Sequence, residues 1–335
     1  MLKVAIVGMG FMGRTHLRCW NDLDGAEVIA ICDTNIDSIK NSKEKVGNID
    51  TGSDAISFDG IKLYDDFDKL LAAGGFDAIS LTLPTHLHCD LTVKALKAGY
   101  HVLCEKPMAI NIDTCQKMID ATNATGKKLM IGHCIRFWPE YAVTKDIIDS
   151  GKYGDVIKAE FTRISPIPTW SVGNWMASEE KSGGMALDLH IHDSDYVQYL
   201  FGMPKAVKSV NDTPEAVAYI KTNYVYNGKD VWAVGAWYSD PDTQFVMSFE
   251  IKLAQATIKF NCNNDPAFEV VCADGTKFTP EVSSGDGYSR QIEYFAALAN
   301  GSTGKEIITP EQSRDSVALI AAEVESLGTS QTVKL

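Results

Sequence analysis

Leu2-Lys3-Val4-Ala5-Ile6-Val7-Gly8-Met9-Gly10-Phe11-Met12-Gly13 opens the chain, and the rest is read outward from it. The apolar run Leu2 to Val7 predicts a buried strand, and Arg14-Thr15-His16-Leu17 continues as a helix. A G-x-G-x-x-G set between strand and helix is a dinucleotide fingerprint. Gly8 permits the tight turn, Gly10 lets the backbone approach a pyrophosphate, and Gly13 lets helix and strand pack closely. The helix start, at Phe11 and Met12, then offers N–H groups and a positive dipole end to phosphate.

A second element sits at the expected distance. The strand-like run Val28-Ile29-Ala30-Ile31-Cys32 ends in Asp33, twenty residues beyond Gly13. A carboxylate there accepts hydrogen bonds from the adenosine ribose hydroxyls. It also repels a 2′-phosphate, and Thr34-Asn35 supply no arginine to neutralise one. The reading is NAD, with NADP disfavoured.

Bulk properties narrow the partners. The chain has 335 residues, enough for two filled cores. A net charge of −13 argues against nucleic acid or an anionic membrane surface, both of which need cationic patches. The first strand begins at once, with no leader pattern before it, and no run approaches the length of a membrane span. The eight cysteines are scattered without a C-x-x-C pair and read as reduced thiols of a cytoplasmic protein.

The first third alternates strand patterns with helical ones, which argues for a parallel sheet with crossovers. The helical stretches are Phe11–Asn21, Asn35–Val46, Tyr64–Ala73, His86–Ala98 and Asn111–Thr125, and Gly47–Gly60 reads as a surface loop. After about His133 the pattern changes. A helix at Pro139–Ser150 and a strand at Val156–Ile164 precede an irregular stretch, Ser165–Ser182. A helix at Gly183–Phe201 is closed by Gly202-Met203-Pro204, and strand-like runs dominate from Ala206 to about Thr279. Consecutive strands with short turns predict an antiparallel sheet. Two helices, Ser289–Asn300 and Pro310–Leu327, finish the chain. The expected organisation is an α/β Rossmann domain at 1–133, with a doubly wound, mostly parallel sheet, followed by an α+β domain at 134–335 for substrate and oligomerisation. The run Val231–Ser239 carries apolar groups on both faces. One face suits helices, and the other suits a second subunit, as a homodimer or homotetramer through the C-terminal sheet.

Two places could carry chemistry. Glu105-Lys106-Pro107 follows the strand His101–Cys104, at the sheet edge where ligands of parallel sheets bind. On spacing alone Lys106 is equally a surface lysine before a turn. The second place is Gly183-Gly184-Met185-Ala186-Leu187-Asp188-Leu189-His190-Ile191-His192. Asp188 and His192 are four apart, so on a helix they meet on one face, and a carboxylate orients an imidazole as a base. Asp195 and Tyr199 extend that stripe, whereas Met185, Leu189, Tyr196 and Leu200 look like core. His190 points elsewhere and reads as a packed histidine. Trp170 and Trp175 lie in the irregular stretch, and an indole face suits the C–H face of a sugar ring as well as it suits a core. Arg163 is a candidate for a substrate carboxylate or hydroxyl. Neither H-x-H has zinc spacing, so no metal is expected.

Taken together, these motifs resemble the Gfo/Idh/MocA family of oxidoreductases over nearly the whole length. The marks are the glycine loop, the E-K-P at Glu105-Lys106-Pro107, and G-G-x-x-x-D-x-x-x-H at Gly183, Gly184, Asp188 and His192. Leu83-Pro84-Thr85-His86-Leu87-His88 resembles the family's T-P-N-x-x-H, with threonine replacing asparagine. The resemblance implies NAD(P)-dependent oxidation of a secondary alcohol on a sugar or cyclitol. It places Lys106, Asp188 and His192 at catalytic positions and Thr82, Pro84, His88, Glu105 and Lys106 beside the cofactor. Arg163 and Trp175 join Lys106, Asp188 and His192 as expected substrate contacts. In the implied mechanism His192 takes the hydroxyl proton, Asp188 orients it or binds a neighbouring hydroxyl, and Lys106 stabilises the reacting oxygen. Two alternatives stay open: a nucleotide-binding regulator without catalysis, and an enzyme that recycles a tightly held NAD during isomerisation or elimination.

Overall fold

A computed structural model describes residues 1–36, 58–169, 171–302, 304 and 306–335. Most of the expected helix Asn35–Val46, most of the loop Gly47–Gly60, and Trp170 lie outside the described residues. The chain forms two units. The first is Met1–Cys134 with Thr169–Ser182 and Asp286–Arg314, and the second is Ile135–Pro168, Gly183–Gly285 and Asp315–Leu335. Two later segments therefore return to the first unit, beyond the expected boundary at 133.

The first unit is built on six parallel strands: β1 (Leu2–Val7), β2 (Ala26–Cys32), β3 (Lys62–Tyr64), β4 (Ala78–Leu81), β5 (His101–Glu105) and β6 (Leu129–Gly132). Their spatial order is β3-β2-β1-β4-β5-β6. The order reverses between β1 and β4, the switch point where open α/β sheets leave a crevice at the strands' carboxyl ends. Near-continuous apolar runs are what a sheet covered on both faces requires, and β4, β6 and all of β1 but Lys3 are buried. The crossovers are helical, with α1 (Phe11–Asn21), α2 (Phe67–Ala73), α3 (His88–Lys97) and α4 (Ile112–Thr125). Asn111 caps α4 by accepting from the Thr114 N–H at 3.0 Å, and Gly126 ends it in the left-handed region at φ 66°. The helix expected from Tyr64 starts only at Phe67, because Tyr64 still pairs in β3 and Asp66 supplies the N-cap.

The second unit carries a nine-stranded sheet in the order β14-β13-β12-β11-β7-β10-β9-β8-β15. Its strands are β7 (Val156–Pro166), β8 (Ala206–Val210), β9 (Ala218–Val225), β10 (Asp230–Tyr238), β11 (Val246–Leu253), β12 (Ala256–Asn261), β13 (Phe268–Cys272), β14 (Lys277–Phe278) and β15 (Val333–Lys334). All neighbours are antiparallel except β7 and β10. Helices α5 (Pro139–Asp149) and α6 (Ile191–Phe201) lie in this unit. Alternation along the strands sends Phe161, Phe249, Phe260 and Trp237 into the core, where Tyr141 of α5 and Tyr196 of α6 meet the phenylalanines edge-on. Met185, Leu189, Tyr196 and Leu200 are buried, as their spacing predicts.

The opposite face is different. Trp232, Val234 and Tyr238 remain partly exposed there, and a groove of about 950 Å³ runs past Trp232, Val234, Thr162 and Ser248. The chain ends with α7 (Gly287–Ala299) and α8 (Pro310–Thr329). Helix α7 belongs to the first unit, where Phe295 packs edge-on against Trp20 of α1 at 6.2 Å and Asp286 accepts from Arg18 at 2.9 Å. Among the described residues, no helix is long and apolar enough to cross a membrane.

Candidate active site

The first unit holds the glycine loop as its sequence requires. Gly8 has φ 92°, and a Cβ there would stand 2.6 Å from the Thr82 carbonyl oxygen. A Cβ on Gly13 would stand 2.0 Å from the Gly8 carbonyl oxygen, so only glycine lets α1 close on β1. Gly10 is the contrast, since a Cβ there would meet nothing within 4 Å. No protein atom explains a glycine at position 10, whereas a phosphate drawn against the backbone does. Helix α1 starts with no side-chain cap and no acidic residue in its first turn. The orphan N–H groups near Phe11 and Met12 and the positive dipole end are thus left for an anion, and the loop fits a dinucleotide.

Asp33 lies just past β2 and braces this loop. Its Oδ2 accepts from the Met9 N–H at 2.7 Å and its Oδ1 from the Asn35 N–H at 2.8 Å. Each carboxylate oxygen can accept more than one hydrogen bond, so these bonds leave acceptor capacity for ribose hydroxyls. Thr82 faces inward: its hydroxyl donates to the Gly8 carbonyl at 2.7 Å and lies 3.1 Å from the Val7 carbonyl. Pro84, partly exposed, leads into the 3-10 turn Thr85–Leu87.

Beyond β5 the chain turns through Glu105, Lys106 and Pro107, with a cis Lys106–Pro107 bond. Lys106 is partly exposed. Glu105 and His88, both expected beside the cofactor, are buried instead, and their polar atoms bind protein. Glu105 Oε1 accepts from His16 Nε2 at 2.9 Å, and Oε2 accepts from the Lys106 N–H at 3.2 Å. Burial pushes the Glu105 pKa up, but His16, Lys106 and His88 outweigh it and hold the carboxyl below its usual range. The His88 ring lies between the Pro107 carbonyl, 2.8 Å from Nδ1, and the Leu83 carbonyl, 2.8 Å from Nε2. Burial depresses its pKa against the pull of those two carbonyls, so the neutral ring donates to one of them at a time. With both nitrogens against main-chain oxygens, His88 ties the loop after β4 to the corner after β5.

Trp175 is half-buried in the 3-10 segment Val172–Ala177, within the first unit. The following turn, Glu179–Ser182, packs on Thr85–Leu87.

In the second unit the expected single helix Gly183–Phe201 is resolved differently. Gly183 and Gly184 take φ of 77° and 70°, Ala186–His190 forms a π-helical turn, and α6 follows. A Cβ on Gly183 would stand 2.4 Å from Leu187 Cδ2, which demands glycine twice over. Single π turns recur at functional sites, where they re-aim side chains that a 3.6-residue period would place otherwise. Asp188 is 8% exposed at the middle of this turn, and His192 is partly exposed in the next.

The other polar groups here are spent inside. Arg163, expected to reach substrate, is 2% exposed, and its Nε and Nη2 donate to Asp193 at 2.8 and 2.9 Å. That ion pair ties β7 to α6, and its guanidinium presents no open face to a ligand. Asp195, expected on the stripe with His192, is fully buried and accepts from Arg136 at 2.9 and 2.8 Å and from Ser316 at 2.7 Å. The Arg136 guanidinium also lies 4.7 Å from the Tyr199 ring centroid. His190 turns to the sheet, where Gly235 makes room for it and its Nε2 lies 2.8 Å from the buried Glu323 carboxylate. Thr222 donates to the same carboxylate at 3.0 Å. Tyr224, beside this cluster, has its pKa raised far above the usual value, by burial first and then by the Glu323 charge.

Residues 2–133 match the family model described as an oxidoreductase family with an NAD-binding Rossmann fold, and residues 141–277 match the GFO/IDH/MocA C-terminal domain. The chain belongs to the GFO/IDH/MocA oxidoreductase family. It is similar to D-glucoside 3-dehydrogenase of Escherichia coli, with 31% identity over 63% of this chain and 56% of that one. It is also similar to 2,7-anhydro-N-acetylneuraminate hydratase of Escherichia coli, with 26% identity over 83% of this chain and 66% of the relative. The chain thus spans about half to two thirds of the length of the curated relatives it matches. Levoglucosan dehydrogenase, solved with NADH and levoglucosan, shares the fold at a TM-score of 0.81 and 21% identity, over 99% of each chain.

Within this GFO/IDH/MocA chain, sequence reading missed His16, Ser80, Arg136 and Glu323, all of them buried polar groups. His16 carried a faint signal, being a polar side chain one turn beyond Gly13 on the side of α1 that faces the sheet. Among the described residues, no group of three or more His, Cys, Asp or Glu side chains is placed to hold a metal ion.

Proposed function

We propose that the chain is an NAD-dependent dehydrogenase acting on a secondary alcohol of a sugar, cyclitol or sugar derivative, with the first unit for the cofactor and the second for substrate and assembly. One observation carries this reading. Of the ionisable side chains from Asp188 to Asp195, His192 is the one left partly exposed, while Asp193 and Asp195 are fully buried against arginines and His190 is fully buried against Glu323. An imidazole that stays partly exposed where its neighbours are buried is suited to proton transfer.

NAD, when bound, accepts hydride from the carbinol carbon. His192 takes the hydroxyl proton at an imidazole nitrogen. Asp188 orients that ring or holds an adjacent substrate hydroxyl. Lys106 donates to the reacting oxygen and stabilises charge growing on it. The glycine loop at Gly8, Gly10 and Gly13 holds the pyrophosphate and Asp33 the ribose, which favours NAD over NADP. Trp175 is assigned to the sugar's C–H face. A panel of aldoses, uronates and inositols, each with NAD and NADP, tests the reading. NADH formation from at least one polyol is expected, with NAD preferred at least about tenfold, and silence across the panel sinks it.

The hydratase relative matches more of this chain than the glucoside dehydrogenase does. It supports a second reading, in which NAD is recycled and no NADH accumulates. Cofactor retained through purification, with substrate consumed and no NADH released, would select it.

A second copy of the chain is proposed to cover the open sheet face at Trp232, Val234 and Tyr238, as a dimer or tetramer. Sedimentation should show an oligomer that Trp232→Asp weakens, and a monomeric wild type would exclude it. The eight free thiols suit a reducing cytoplasm.

A further inference from the structure

We propose that His16 is a positioning residue that fixes the Lys106 main chain, through Glu105, to the helix bearing the glycine loop. This rests on the reading of Lys106 as a catalytic group. His16 lies one turn inside α1 and is fully buried. Its Nε2 is 2.9 Å from Glu105 Oε1 and its Nδ1 is 2.6 Å from Ser80 Oγ. An ionised carboxylate can only accept, so Nε2 carries the proton, and Nδ1 accepts from the Ser80 hydroxyl. That one tautomer satisfies both ring nitrogens.

Glu105 is thereby held at both oxygens, by His16 on one side and by the Lys106 N–H on the other. Its carboxylate also fills the space beside Gly132, where a Cβ would stand 2.9 Å from Oε1. The next carbonyl, that of Pro107, meets His88. The main chain on either side of the Lys106 side chain is therefore held by buried imidazoles from two helices, by His16 of α1 through the Glu105 carboxylate and by His88 of α3 at the Pro107 carbonyl. A catalytic ammonium on a flexible four-carbon stem gains from such a rigid root, because misplacement by about 1 Å can cost about 10²-fold in rate.

The test uses the whole chain. His16→Leu removes both hydrogen bonds, and His16→Gln keeps an N–H toward Glu105 and an acceptor toward Ser80. Residue-resolved amide exchange on the ligand-free protein should show the Lys106 N–H exchanging at least about tenfold faster in His16→Leu. Calorimetry should find NAD affinity within about threefold of wild type, because the loop backbone is untouched. Turnover of the fastest panel polyol, per bound NAD, should fall about 10²-fold with KM for the polyol little changed. His16→Gln should restore exchange and turnover together. A merely structural histidine would lower thermal stability in His16→Leu yet leave Lys106 exchange and turnover per bound NAD at wild-type values, and that outcome overturns the proposal. Should His16→Leu not fold, Ser80→Ala, which frees Nδ1 alone, should speed Lys106 exchange at least about threefold, and an unchanged rate overturns it equally. The exchange readout needs no substrate. Failure of the Lys106 assignment, shown by a fully active Lys106→Met, is thus distinguishable from failure of the brace.

Discussion

His192→Ala is expected to lower turnover about 10²–10⁴-fold while leaving NAD affinity within about a factor of three. The range is what a positioned general base is worth when water must take its place. The split between rate and affinity follows from where the residue sits. His192 belongs to the second unit, whereas the glycine loop, Asp33 and the open start of α1 belong to the first. Steady-state kinetics and calorimetry on the same preparation would check both halves. Turnover within about threefold of wild type would remove His192 from the mechanism. Added imidazole should restore part of the lost rate by occupying the vacated space, which a folding defect would not allow.

Arg136→Met should cost about 3–5 kcal/mol, because it strips a buried carboxylate of its bidentate partner. Asp195 would keep Ser316 but lose both guanidinium bonds while fully buried. For a chain of this size the cost corresponds to a fall of about 4–7 °C in Tm. The double variant Arg136→Met/Asp195→Asn should recover most of it, since the amide carries no charge and can still accept from Ser316. Chemical denaturation of the two variants decides the point. A single variant within about 1 kcal/mol of wild type would show the pair to be solvated in solution.

The glycine loop and the Arg136–Asp195 pair mark what was legible in the sequence and what was not. The glycine loop was legible because local backbone geometry imposes it: Gly8 and Gly13 answer to contacts with β1, β4 and each other. The place of Asp33 just past β2 was legible because twenty residues is the length of one helix and one strand. Asp188 and His192 lie on successive turns, but the π turn that holds Asp188 did not show in the sequence. It follows the left-handed pair Gly183-Gly184, and a hydrophobic period cannot reveal one wider turn. Arg163, Glu105 and His88 read as groups facing a ligand, and Asp195 as part of a polar stripe with His192. A charged residue next to a motif looks the same in sequence whether it points out or in. The deciding partners lie far along the chain, Asp193 thirty residues from Arg163 and His16 eighty-nine from Glu105. Long-range pairing of that kind belongs to the tertiary structure and leaves no local pattern.

The return of α7 to the first unit has a practical consequence for anyone dissecting the molecule. A recombinant piece stopping near residue 133 would carry every element of the nucleotide motif yet leave the indole of Trp20 without Phe295 and the guanidinium of Arg18 without Asp286. Transplanting the nucleotide half onto another scaffold would therefore mean stitching in the stretch 286–314 as well. Swaps drawn at linear borders would inherit a bald, sticky flank.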